Sequence, residues 1–169
     1  MCLGNLGILE SRRGRHEAAV GYYQEARLLN REVGNRRSES YSLGNLASTL
    51  CELGRFAEAE AHLEEALVLV RDLGDVRMEG AWLGALADVY RRRGRLELAE
   101  RTLALAEAKL LEVADPALLT RLLVTRAHAA LDREDRSAAL DLLSRAEAIA
   151  PRGDRLIGVE LDAVKERLG

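Results

Sequence analysis

The chain repeats itself. Shifted by forty residues, it brings Leu3, Leu43, Leu83 and Leu123 into one column and Gly14, Gly54 and Gly94 into another. Ala19, Ala59, Ala99 and Ala139 follow in register, then Ala26, Ala66, Ala106 and Ala146. A fixed period of this size signals a solenoid, in which each unit buries its apolar face only against its neighbours.

Each unit carries a helical rhythm. Leu43, Leu46, Ala47 and Leu50 recur three or four residues apart, which sets them on one helix face. Gly54 ends that helix, because glycine accepts the left-handed conformation a C-terminal cap needs. A second stripe runs from Phe56 through Ala59, Leu63, Ala66, Leu67 and Val70 to Leu73, and Gly74 closes it. Asn35, Asp75 and Asp115 stand where N-caps are needed, the last followed by Pro116 at the first helical position. The alanine columns mark close helix crossings, where only a small side chain lets two backbones approach.

Composition agrees with an all-helical chain. Ala and Leu dominate, aromatics make up 4%, and Pro116 and Pro151 are the two prolines. The expected fold is all-α, a right-handed α-solenoid of four helix-turn-helix units at about 1–34, 35–74, 75–114 and 115–151. A capping helix is expected at about 153–168, carrying Leu156, Ile157, Val159, Leu161, Val164 and Leu168. The whole reads as one domain. Repeat one starts late relative to the others, so the expectation is an excerpt of a longer protein whose first helix is clipped. Repeat four departs from the columns: Arg126 stands where Leu6, Leu46 and Leu86 stand, and Glu134 replaces the glycine. Its first helix is expected to pack loosely or to meet something polar.

The columns resemble the tetratricopeptide repeat, whose pattern is W-x2-L-G-x2-Y, then G, A-x3-F, A and P. Repeat three supplies Leu83, Leu86-Ala87, Tyr90, Gly94, Ala99, Leu103 and Ala106, and repeat two supplies Leu43, Leu46-Ala47, Leu50, Gly54, Ala59, Leu63 and Ala66. The long unit with Leu-x-Asn-Leu-Ala in its first helix is similar to repeats of kinesin light chains and bacterial signalling proteins. The resemblance implies a concave face lined by the first helices, which binds a protein or peptide partner.

That face should present Asn5 and Arg12 from repeat one, Tyr41, Asn45, Ser48 and Glu52 from repeat two, Asp88, Arg91 and Arg92 from repeat three, and Thr125 and His128 from repeat four. In peptide-binding relatives the asparagine of Leu-x-Asn-Leu-Ala holds the ligand backbone, and an amide suits that role because it both donates and accepts. Asn5 and Asn45 occupy that column; Ala85 and Thr125 interrupt it. Relatives that clamp a C-terminal carboxylate use a lysine where this chain has Gly4, Gly44, Gly84 and Val124, which argues against such a clamp. The three glycines read either as close packing, the favoured reading, or as room for a ligand backbone.

Arg12, Arg13, Arg15, Arg55, Arg91, Arg92, Arg93, Arg95, Arg133 and Arg136 fall at turns between paired helices and form a basic rim, with glutamates on the nearby second helices. Arginines there offset helix macrodipoles. With a net charge of −3 and few aromatics for stacking, nucleic acid is disfavoured as a partner. No apolar run reaches the roughly 20 residues of a membrane span. Cys2 and Cys51 make neither a disulfide framework nor a metal knuckle. His16, His62 and His128 lie in separate repeats, and Asp88 and His128 are expected as neighbours sharing an exposed hydrogen bond. No catalytic set, cofactor or metal is expected. The expected function is a non-catalytic docking or sensor segment of a larger bacterial, cytoplasmic signalling or regulatory protein. The alternatives are self-association or contact with a flanking domain, or intramolecular regulation of an attached enzyme.

Overall fold

A computed structural model describes residues 3–169, and within them the chain is helical with no strand. Nine helices follow one another: α1 (Leu3–Arg12), α2 (His16–Glu32), α3 (Arg36–Glu52), α4 (Phe56–Asp72), α5 (Val76–Arg92), α6 (Leu96–Val113), α7 (Pro116–Asp132), α8 (Arg136–Ile149) and α9 (Arg155–Leu168). They pack in consecutive antiparallel pairs, and each first helix also lies beside the first helix of the next unit. Four helix-turn-helix units and a closing helix form an all-α solenoid.

The turns follow from backbone chemistry. Gly14, Gly34, Gly54, Gly74 and Gly94 all take φ between 64° and 74°, where a side chain would be strained. At the equivalent turn of repeat four, Glu134 adopts the same left-handed conformation at φ 63° despite its side chain. The fold therefore imposes this turn on a residue that disfavours it. Asn35, Asp75 and Asp115 cap as expected, each accepting from the backbone N–H three residues on at 3.0–3.1 Å. Asp135 and Asp154 do the same for α8 and α9.

The alanine columns lie at the crossings. Ala19, Ala59, Ala99 and Ala139 are fully enclosed, as are Ala66, Ala106 and Ala146. Leu43, Leu46, Leu50, Leu63 and Leu103 fill the space beside them. Threonines buried in this layer keep their hydroxyls bonded within their own helix: Thr49 to the Asn45 carbonyl at 3.0 Å, Thr102 to Leu98 at 2.8 Å, Thr120 to Pro116 at 2.7 Å. That removes the penalty of a buried unpaired donor.

Successive repeats are also tied by ion pairs in register. Arg31 and Arg71 reach Glu39 and Glu79 at 2.7 and 2.8 Å. Arg37 and Arg77 reach Asp75 and Asp115, the N-caps of the following repeats, at 3.4 and 2.7 Å. These columns are themselves forty residues apart.

Repeat four diverges as its sequence suggested, and the polar partner is identifiable. Arg126, on α7, turns toward α6, where its guanidinium meets Glu107 and, at 3.4 Å, Glu100. On α9, Ile157, Leu161, Val164 and Leu168 are buried against repeat four, while Leu156 and Val159 stay exposed. No helix among the described residues is long and apolar enough to cross a membrane.

Candidate peptide-binding groove

The inner faces of α3, α5 and α7 line a groove that α1 and α9 extend at either end. Arg12, Tyr41, Asn45, Ser48, Glu52, Asp88, Arg91, Arg92, Thr125 and His128 all line it. Asn5 is exposed and lies outside the lining, so the expected asparagine pair is not brought together in the groove. Helix α9 adds Leu156, Val159, Glu160 and Ala163, which extend the first-helix stripe beyond the four repeats. This contribution was hidden because α9 reads in sequence only as an amphipathic cover.

Apart from Arg12 at the α1 end, the charged lining is committed to itself. Arg92 bridges Glu52 and Asp88, each at 2.9 Å. Arg91 bridges Asp88 at 2.8 Å and Asp132 at 2.7 Å, and Asp132 in turn accepts from Arg167 at 2.7 Å. A ladder of alternating charges thus crosses α3, α5, α7 and α9. Arg121 and Glu160 add a second rung between α7 and α9 at 3.1 Å. Arg91 has only 13% of its side chain exposed, so its pairing is screened less than that of an open surface pair. Burial holds the Glu160 carboxyl above its ordinary range, against the pull of Arg121.

The expected Asp88–His128 hydrogen bond is absent. Both Asp88 oxygens are taken by Arg91 and Arg92. His128 instead faces Arg167, whose guanidinium lies 3.0 Å from Nδ1. Arginine only donates, so Nδ1 accepts and the ring is neutral. Burial, then the nearby Arg91 and Arg167 charges, lowers the His128 pKa, with Asp88 and Asp132 opposing.

The rest of the lining is uncommitted. The Asn45 amide, the Tyr41 hydroxyl and the Ser48 hydroxyl make no hydrogen bond to another described residue, whereas Thr125 bonds back to the Arg121 carbonyl at 3.1 Å. Tyr41 stands edge-on to Trp82, ring centroids 6.3 Å apart, and the Trp82 indole donates to Ser40 Oγ at 2.9 Å. The Trp82 ring lies over Gly44, where a Cβ would overlap its six-membered ring. Close packing therefore accounts for Gly44. It does not account for Gly84, whose Cβ would meet Leu122 at an ordinary 3.6 Å, or for Gly4, which has open space. Cys51 lies buried in the floor, and burial pushes its thiol up to about 11. Cys2 lies outside the described residues.

The basic rim is also neutralised in place. Arg13 and Arg15 reach Glu10, Arg55 reaches Glu58, Arg93 and Arg95 reach Glu60, and Arg133 reaches Glu100. Arg12 and Arg136 have no ion pair among the described residues, and the rest of the rim is an ion-paired edge rather than a free cationic one. Among the described residues no group of His, Cys, Asp or Glu could hold a metal ion.

A crystal structure of BtubC (BKLC) from P. vanneervenii superposes with a TM-score of 0.72 at 22% sequence identity, covering 87% of this chain and 61% of that one. At that identity the likeness is one of fold, and this chain spans about three fifths of that protein's length. A search of the curated proteins returns no significant match. A family model described as tetratricopeptide repeat matches residues 1–72 and again 36–112. With its helix pairs, glycine turns and alanine crossings in the same register, the chain belongs to the tetratricopeptide-repeat family.

Proposed function

We propose that the chain is a non-catalytic docking module that holds a peptide or a protein segment in its concave groove, as part of a larger signalling or regulatory protein of a bacterial cytoplasm. The repeat family is in general a scaffold for protein interaction, which supports the coarse reading. One observation carries the finer one. Apart from Arg12, the charged lining is satisfied internally, while Asn45, Tyr41 and Ser48 keep unpaired polar atoms side by side on α3. A ligand backbone would bond to the Asn45 amide through both its C=O and N–H groups. Arg91, Arg92, Asp88, Glu52 and His128 then shape and stiffen the groove instead of gripping the ligand.

The test is to select peptides from a random displayed library on the native chain and measure their affinities for variants. Asn45→Ala and Tyr41→Ala should each weaken the selected peptides at least tenfold, while Arg55→Ala at the rim leaves them unchanged. Equal affinity for all four proteins would move the binding surface out of the groove. A second reading, self-association, draws support from Leu9 on α1, which is 38% exposed and lies outside the groove lining. Light scattering at rising concentration separates the two, since a constant monomer mass rules the second one out.

A further inference from the structure

We infer that the solenoid is two stiff bodies joined by a hinge between α6 and α7, so that the groove changes width there and nowhere else along the stack. Three independent features of that junction differ from the junctions between repeats one and two and between repeats two and three.

The first is the core. The buried apolar residues divide into two clusters, one spanning repeats one to three and one spanning repeat four with α9. Helix α7 is shared: Leu122 and Ala129 belong to the first cluster, and Leu123, Val124, Ala127 and Ala130 to the second. Between them stands Arg126, in the column where Leu46 and Leu86 lie buried in the first cluster. Its Nε is buried without a partner among the described residues. Two glutamates and an arginine thus occupy a seam that leucine seals elsewhere.

The second is the turn. Asn35 and Asp75 each close the preceding helix by donating to the carbonyl five residues back, at 2.8 and 2.9 Å. Gly34 and Gly74 donate at 3.1 and 3.0 Å in the same turns. At the third junction neither Ala114 nor Asp115 makes the equivalent bond among the described residues, and Ala114 sits at φ 49° where the others have glycine. The connection is unbraced and carries a strained residue.

The third is the edge. The Arg31–Glu39 and Arg71–Glu79 bridges tie the first two junctions. The same columns at the third hold Leu111, which is exposed, and Leu119. Apolar contact across the seam comes from Leu118, Leu119, Leu122 and Ala129 of α7, which pack on the first cluster; the rest of what spans it is ionic: Arg91–Asp132 on the groove side, Arg77–Asp115 at the turn, and Arg126 and Arg145 onto Glu107. Apolar packing in a well-filled core has steep, short-range complementarity, whereas partly enclosed ion pairs rearrange more readily and still weaken somewhat with salt. Repeat four and α9 can therefore swing relative to repeats one to three while each body keeps its packing.

Pulsed electron-spin distance measurement tests this on the full chain, in a Cys2→Ser, Cys51→Ala background. Gln24, Glu64, Ala104 and Ser144 form one exposed column on the second helices, each two repeats from its label partner. Labels at positions 24 and 104 lie within the first body; labels at 64 and 144 straddle the seam. The 64–144 distance distribution should be at least twice as broad as the 24–104 distribution, and broader still in 0.5 M salt. Arg126→Leu, which restores the column, should narrow it to the 24–104 width with far-UV circular dichroism unchanged. Asp132→Asn should widen it and leave 24–104 alone. Equal widths in the native chain, or an unchanged 64–144 width in both variants, would overturn the hinge. These distances are read without any ligand, so the outcome is independent of what the groove binds.

Discussion

Gly4, Gly44 and Gly84 occupy one column of the first helices, and replacing each with alanine should give opposite signs in the same structural register. Alanine is favoured over glycine inside a helix by about 1 kcal/mol, a gain that applies in full at Gly44 and Gly84. At Gly84 the new Cβ meets Leu122 at 3.6 Å, an ordinary contact, so Gly84→Ala should stabilise the chain by about 0.5–1 kcal/mol. Gly4 has nothing within reach either, but it is the second residue of α1, so its gain should be smaller. At Gly44 the Cβ overlaps the Trp82 ring. That ring cannot step aside freely, since its indole bonds Ser40 and its edge packs against Tyr41. Overpacking of this kind costs about 1–3 kcal/mol, which cancels or outweighs the helical gain, so Gly44→Ala should be neutral at best and destabilising by up to about 2 kcal/mol. Urea unfolding followed at 222 nm compares the three variants. A Trp82→Leu background should restore the helical gain at position 44, because the two sites are in contact and cannot be additive. A stabilised Gly44→Ala in the native background, or a destabilised Gly84→Ala, would refute the reasoning.

Two further outcomes rest on other features. Glu134→Gly should stabilise repeat four by about 1 kcal/mol, and Gly54→Ala should cost a similar amount, because both positions hold left-handed backbone; urea midpoints decide it. His128 is held neutral with its pKa lowered by burial and by Arg91 and Arg167, so the unfolded chain binds its proton first as pH falls. Stability is then full above the ordinary histidine pKa of about 6.5 and declines as pH drops below it toward the lowered folded value. The decline in thermal midpoint between pH 7 and 5 should be shallower in His128→Gln, which keeps a carbonyl acceptor for Arg167.

The periodic columns carried the architecture because a solenoid repeats its contacts with its sequence. Leucine and alanine at fixed spacing mark buried faces and close crossings, and glycine at positive φ marks turns, so local chemistry sufficed to place eight helices and a ninth. The inter-repeat bridges of Arg37 and Arg77 to Asp75 and Asp115 were not read from the sequence, because each half of the pattern taken alone reads as solvated surface or a helix cap. Position 126 was visible as an exception, and only its setting was not.

Charge pairing across the stack was a different matter. Sequence assigns Asp88, Arg91, Arg92 and His128 to the inner face of their helices, since that depends only on helical period. The Asp88–Arg91 and Asp88–Arg92 pairs, three and four residues apart on α5, follow from the period as well, but which partners reach them from other helices depends on distances that no period encodes. Tertiary packing brought Asp132 of α7 and Arg167 of α9 to Arg91 and His128, turning a presumed gripping surface into a self-neutralised ladder. It also set Trp82 over Gly44, and left Asn45, Tyr41 and Ser48, with Arg12 at the α1 end, as polar groups with unused capacity. The sequence by itself determined the repeat, its turns and the face each residue occupies, because those are local. Partnership between helices within that face was decided only by the tertiary structure, because there electrostatic pairing joins groups that the sequence keeps about forty residues apart.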